Sequence, residues 1–255
     1  SVMTSNTVVA DIVRFFPATF ELATFAILVA APLGIGLGVL AAVRQGSWID
    51  QAVRVFCLAG HSLPVFVLGL ISLFVFYAWL GWLPGPGRQG IVFQDMVDTR
   101  TGLLTIDTLL AGDLDAFRDA LWHLIQPGMV LALFSLAYIA RMTRAFMLAQ
   151  LRSEYVITAR AKGLSGARIV WGHAFRNVAV PLVTVLVLTY AGLLEGAVLT
   201  ETIFSWPGLG QYLTVSLLNA DMNAVLGATL VVGLIYVALN LVADLLYRLM
   251  DPRVR

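Results

Sequence analysis

The 255 residues carry 16 Lys and Arg against 15 Asp and Glu, are 60% hydrophobic and 12% charged, and have a mean hydropathy of +0.89. Soluble domains average roughly 45–50% apolar and about 25% charged residues, so water is not this chain's main solvent, and its net charge of +1 gives no pointer to nucleic acid. The lone Cys57 excludes an intrachain disulfide framework and a cysteine-based metal centre.

Five stretches meet the requirement of about 20 apolar residues for crossing a hydrocarbon layer of roughly 30 Å. They are 22–43, 55–83, 121–140, 178–199 and 224–246. Each contains Gly or Pro, which membrane helices tolerate because neighbours re-satisfy the freed backbone groups, so the expected fold is all-α, a polytopic membrane helical bundle.

Basic residues orient such a bundle. Arg14, Arg88, Arg100 and Arg118 fall on one side, and the other 12 of the 16 Lys and Arg fall on the opposite side, which is therefore expected to be cytoplasmic. The C-terminus lies inside and Ser1 outside; one further span upstream of Ser1 is expected, letting the chain begin inside. Trp79, Trp82 and Trp122 mark the outer span ends, and Trp48 and Trp171 the inner ones, as in aromatic belts. The expected layout is an external segment at 1–16 and a membrane domain at 17–250. That domain carries an external insert at 84–120, a cytoplasmic loop at 141–177 and an external loop at 200–223, before a cytoplasmic tail at 251–255. Within the insert, Leu110, Leu114, Phe117 and Leu121 share one helical face, predicting an amphipathic helix that leads into the third span.

Gly85, Gly87 and Gly90 satisfy G-x-G-x-x-G, but the fingerprint needs a strand before it and a helix after it, and here it follows a membrane helix. No phosphate-binding G-x-x-x-x-G-K-[ST] loop occurs. Gly34 with Gly38, and Gly192 with Gly196, are spaced for close helix packing. His61, His123 and His173 are too scattered to share an ion and read as polar packing residues; no metal site and no catalytic residue is assigned. An intramembrane hydrolase is disfavoured for the same reasons, because no nucleophile stands beside a base.

Glu195 is the carboxylate inside a span, where ionisable groups are functional candidates. It lies roughly 26 Å along the helix from Val178, so a pathway position and an anchor in the outer headgroups both stand. Asp244 and Arg248 are spaced as an i, i+4 pair. The stretch Glu201-Thr-Ile-Phe-Ser-Trp-Pro-Gly-Leu-Gly210 is too apolar for open water, so Glu201, Phe204, Trp206 and Pro207 are expected to fold back over the mouth of a pathway, or else to pack on the spans.

The cytoplasmic segment from Ser153 to Asn177 holds two short helical stretches meeting at Gly163-Leu164-Ser165-Gly166, with Ser165 placed to cap the second. Ala159, Ala161 and Gly163 give a low surface between the basic residues Arg160, Lys162 and Arg168. Isolated helices of this length are marginal in water, so a partner surface is implied, with a plain basic inside loop as the alternative.

The run TARAKGLS, followed by HAFRN and VPLVT, resembles the EAA loop of binding-protein-dependent ABC importer permeases of the dipeptide, oligopeptide and nickel group. RQGSWID, SLPVF, TETIFSWPGLG and NLVADLLYRLMDPRVR are similar to the same group, in the same order, so the resemblance covers almost the whole chain. It implies a type I importer permease fold with one further N-terminal span. It also implies a second, homologous permease, two cytoplasmic ATPase subunits carrying ATP and magnesium, and a periplasmic or extracellular solute-binding protein, all in a bacterial inner membrane. This chain itself would hold no cofactor and no enzymatic activity. The ATPase-coupling loop would comprise Glu154, Tyr155, Thr158, Ala159, Arg160, Ala161, Lys162, Gly163, Leu164 and Ser165, although Ile157 stands where the family pattern has Glu. The implied cargo is a short peptide, with nickel or another small solute as the alternative; a stand-alone channel or secondary transporter is the remaining reading.

Overall fold

The computed structural model describes residues 1, 4–94 and 96–250, the side chains of His61 and Met250 excepted. The expected tail at 251–255, with Arg253 and Arg255, lies outside the described residues. Among the described residues every α or β element is a helix: α1 (Val8–Val43), α2 (Trp48–Ser62), α3 (Val65–Ser72), α4 (Leu104–Ala111), α5 (Leu114–Leu151), α6 (Glu154–Ala161), α7 (Phe175–Gly196), α8 (Val198–Ile203), α9 (Leu209–Leu218) and α10 (Met222–Met250). Single π-helical stretches cover Leu73–Trp79 and Arg168–Ala174. Among the described residues four helical segments are long and apolar enough to cross a membrane, and the interrupted pair α2 and α3 makes a fifth candidate.

The elements depart from the expected boundaries in four places. Residues 8–16 of the expected external segment are the first turns of α1, which at about 1.5 Å per residue is far longer than a bilayer requires. Thr7 opens it, accepting the Ala10 N–H at 3.3 Å. The second span breaks at Leu63-Pro64, because proline disfavours helix at the residue before it and starts α3 from an N-cap position. The amphipathic helix of the insert is two helices, since Gly112 closes α4 in a left-handed conformation (φ 74°) and Asp113 then caps α5 through the Ala116 N–H at 2.9 Å. Leu110 therefore ends up on α4, and Leu114, Phe117 and Leu121 on α5. Finally, α5 continues to Leu151, so residues 141–151 of the expected loop are helix.

The chain divides into two compact units. The first comprises Ser1–Ala26, Leu63–Ala132 and Gly192–Val237. Its core joins Ile12, Leu209, Tyr212, Ala224 and Ala228, with Phe15 stacked on Tyr212 at 5.1 Å between centroids. This packing against α9 and α10 is why the outer turns of α1 are ordered helix.

The second unit comprises Ile27–Ser62, Leu133–Ala191 and Ala238–Arg255. One cluster buries Val39, Ala42, Met147, Ala174, Val178, Leu182 and Val185, and another holds Cys57 with Ala41, Val53, Ala137 and Ala140. A Cβ on Gly34 would meet Ile139 at 3.0 Å, and one on Gly38 would meet the Ala140 carbonyl at 2.6 Å, so that glycine pair packs as its spacing predicts; Gly192 and Gly196 face open space. Arg144 grips Asp50 with two parallel hydrogen bonds of 2.6 and 2.8 Å. Asp244 and Arg248 stand exposed and, among the described residues, form no ion pair; exposed charges gain little from pairing and lose rotamer freedom.

Candidate functional site

The coupling segment is built in the second unit. Val156 and Ala159 of α6 face Ile169 of the following π-helical stretch, with Leu164 packed beside them. This small core folds the two short helical pieces back on each other. Gly163 makes the reversal possible with φ 77°, and its N–H bonds the Arg160 carbonyl at 2.9 Å while the Leu164 N–H reaches Ala159 at 3.2 Å. The left-handed region is open to glycine and strained for residues with a Cβ. Ser165 takes the cap position through its backbone, its carbonyl accepting the Ile169 N–H at 3.0 Å.

The buried side of α6 thus leaves Glu154, Tyr155, Thr158, Arg160, Ala161 and Lys162 on the solvent side, together with the 62% exposed Ile157. The Tyr155 hydroxyl donates to the Gln150 side chain at 2.8 Å, and Thr158 back-bonds to the Glu154 carbonyl. The exposed side of α6 thus carries Arg160 and Lys162 beside Tyr155 and Ile157, next to the glycine turn.

The external stretch occupies the first unit as a packed knot. Glu201, on α8, has no exposed surface, and its carboxylate accepts the Thr19 hydroxyl at 2.6 Å and the Gln211 N–H at 2.9 Å. Thr19 also accepts the Leu209 N–H, so the two side chains between them cap α9. Burial pushes the Glu201 carboxyl above the usual carboxylate range, against the opposing pull of the Thr19, Gln211 and Gly210 hydrogen bonds. A Cβ at Gly208 would collide with that carboxylate. Trp206 is buried and donates its indole N–H to the Ala18 carbonyl at 2.9 Å; Phe204 is buried against the Gly69 region of α3, and Pro207 is half-buried. Glu195 is not brought to this cluster: it stands exposed in the last turn of α7.

Three further side chains of this unit, Glu21, Arg88 and Asp107, hold its loops; of them the sequence reading used only Arg88, as an orienting charge. Glu21 accepts Arg88 on one oxygen, and the Thr105 N–H and hydroxyl on the other at 2.8 and 2.6 Å. Arg88 also donates to the Gly102 carbonyl and lies 5.7 Å from the Trp206 ring centroid. The buried Asp107 gathers N–H groups of Arg100, Thr101 and Gly102 and the Thr101 hydroxyl. Burial alone would raise its pKa, but those hydrogen bonds outweigh it and hold the carboxyl below the usual range. An acid at the edge of an apolar run, as in PATFEL, was the available signal for Glu21. Its partners, 67 and 84 residues away, were not. In the glycine-rich loop the Gly87 N–H donates to the Phe204 carbonyl and the Gly90 N–H to the Asp119 carboxylate, which also lies 3.5 Å from His123 Nδ1.

The family model described as "Binding-protein-dependent transport system inner membrane component" matches residues 34–255. The whole chain is similar to the di/tripeptide transport system permease protein DppB of Pseudomonas aeruginosa, at 46% identity and covering 75% of that protein. It is likewise similar to the probable D,D-dipeptide transport system permease protein DdpB of Escherichia coli, at 45% identity and 74% coverage. Among solved structures, an inward-facing form of the MetNI methionine ABC transporter matches 97% of this chain and 100% of its own with a TM-score of 0.69 at 14% identity. At that identity the likeness shows the fold, which is the expected type I importer permease bundle.

Proposed function

Because the chain belongs to the binding-protein-dependent transport system inner membrane components, we propose that it is the permease subunit of an ATP-driven importer for short peptides. A second, similar permease completes the pathway, two ATPase subunits supply hydrolysis from the cytoplasmic side, and a solute-binding protein delivers cargo outside. ATP and magnesium stay on the ATPase subunits. The observation that carries the reading is similarity along the full chain to permeases named for dipeptide transport, at 46% and 45% identity.

The work of the chain is mechanical. The exposed side of α6 and the turn at Gly163 seat in an ATPase subunit, and nucleotide-driven closure of the ATPases shifts the balance between inward-open and outward-open spans. Such a shift requires the docked state to differ in free energy between the two arrangements, and a compact lever with its own small core transmits force better than an open loop.

Reconstitution tests this. Proteoliposomes carrying the chain with the permease, ATPases and binding protein encoded beside it should take up labelled alanyl-phenylalanine when ATP is supplied, with competition from other di- and tripeptides. Uptake of nickel or free amino acids in place of peptides would overturn the peptide reading.

A further inference from the structure

In the first unit, three guanidinium groups line one cavity of about 660 Å³, formed by Arg14 and Phe15 of α1, Arg88, Arg100, Thr101 and Pro207. Arg88 is neutralised by Glu21. Arg14 lies over the Phe15 ring, and among the described residues neither Arg14 nor Arg100 has an ion-pair partner. Among the described residues two cations without an ion-pair partner therefore share a concave wall with a third, and with Glu21 and Asp107 set against the three arginines the wall keeps a net positive charge. The volume lies within the roughly 300–1,000 Å³ of ligand sites. A guanidinium fork is matched geometrically by a carboxylate.

We propose that this cavity seats an acidic side chain of the solute-binding protein, so that Arg14 and Arg100 set its docking on the permease. The proposal rests on the importer reading given above. Two other anions fit less well. Arg100, Thr101 and Gly102 of the cavity wall belong to the loop before α4, outside every candidate membrane span, which sets the cavity apart from a phospholipid headgroup. A substrate in transit needs a site whose affinity changes as the transporter switches. This cavity is instead held within one compact unit by the Glu21 and Asp107 hydrogen bonds to Arg88 and to the 100–102 turn. A preformed seat suits a docking partner, because little ordering is needed on binding.

The test uses the assembled importer in nanodiscs and the solute-binding protein encoded beside it, loaded with alanyl-phenylalanine. The double variant Arg14→Gln, Arg100→Gln should weaken docking roughly tenfold at low salt and flatten its salt dependence. Maximal stimulation of ATP hydrolysis at saturating binding protein should stay at the wild-type level. Arg14→Lys with Arg100→Lys, which keeps the charge, should restore the salt dependence and most of the affinity, showing that the unit is folded. Unchanged affinity and salt dependence in the Gln pair would overturn the proposal. So would a fall in maximal uptake with docking intact, which assigns the cavity to cargo, or an effect confined to anionic-lipid nanodiscs, which assigns it to headgroups. A wild-type complex that no binding protein stimulates would refute the importer reading itself, and the proposal with it.

Discussion

A carboxylate with no exposed surface needs donors, and Glu201 finds them in Thr19 and in the first turn of α9. Glu201→Ala leaves a hydroxyl and at least one backbone N–H buried without an acceptor, so it should destabilise the protein by about 1–3 kcal/mol. The pH response has a defined sign. With its folded pKa raised by burial, the native state holds the proton over a range where the unfolded chain has released it. Stability should therefore fall as pH rises from the ordinary carboxylate range through the raised value, then level off. Glu201→Gln should lack that slope, read as thermal unfolding midpoints in detergent across mildly acidic pH. In the second unit, Asp50 is 2% exposed and Arg144 21%. Removing one partner strands the other, so Asp50→Ala should be destabilising by about 3 kcal/mol. Asp50→Ala with Arg144→Ala should recover part of that loss in a double-mutant cycle.

At the scale of elements, the turn between α6 and the helical stretch after it separates strain from bulk. A Cβ built on Gly163 touches nothing, yet the residue sits at φ 77°. Gly163→Ala should then cost about 1–2 kcal/mol of local strain and keep most transport. Gly163→Trp adds the same strain and a side chain that holds the partner surface away. Its expected phenotype is a folded complex in which uptake is lost and ATP hydrolysis ignores the loaded binding protein. Wild-type uptake and stimulation in the Trp variant would show a mere connector. The turn was legible from Gly163-Leu164-Ser165-Gly166 because glycine and small polar residues punctuate helices locally. The break of the second span was not read, although Pro64 was in view, because continuous hydropathy masks a helix stop that depends on one residue's steric effect on its predecessor.

At the scale of the whole molecule, five tryptophans assigned to the membrane borders are all well exposed, from Trp122 at 48% to Trp48 at 77%, while Trp206 is buried at 1%. That division suits aromatic belts around a bundle whose outward surface meets lipid or partner subunits. With all but four of the basic residues expected on the cytoplasmic side, a C-terminal reporter that is active only in the cytoplasm should be active, and one that requires export should be silent. The isolated chain should bind no ATP, since it carries no phosphate-cradling loop; measurable binding in detergent would contradict the permease assignment.

What the sequence determined by itself is what depends on local chemistry summed along the chain. Apolar runs longer than a bilayer is thick set the class, the placement of Arg and Lys set the expected orientation, and the small-residue turn with its basic flanks marked the proposed docking segment. What only the tertiary structure decided is the fate of the polar residues in the first unit. Glu201, expected either over a pathway or against the spans, is the buried cap of α9, and Glu21, Asp107 and Arg88 hold the loops that shape the arginine cavity. A buried charge is tolerated only with specific partners. Those partners lie up to 182 residues apart, Thr19 to Glu201, so no local pattern can announce them.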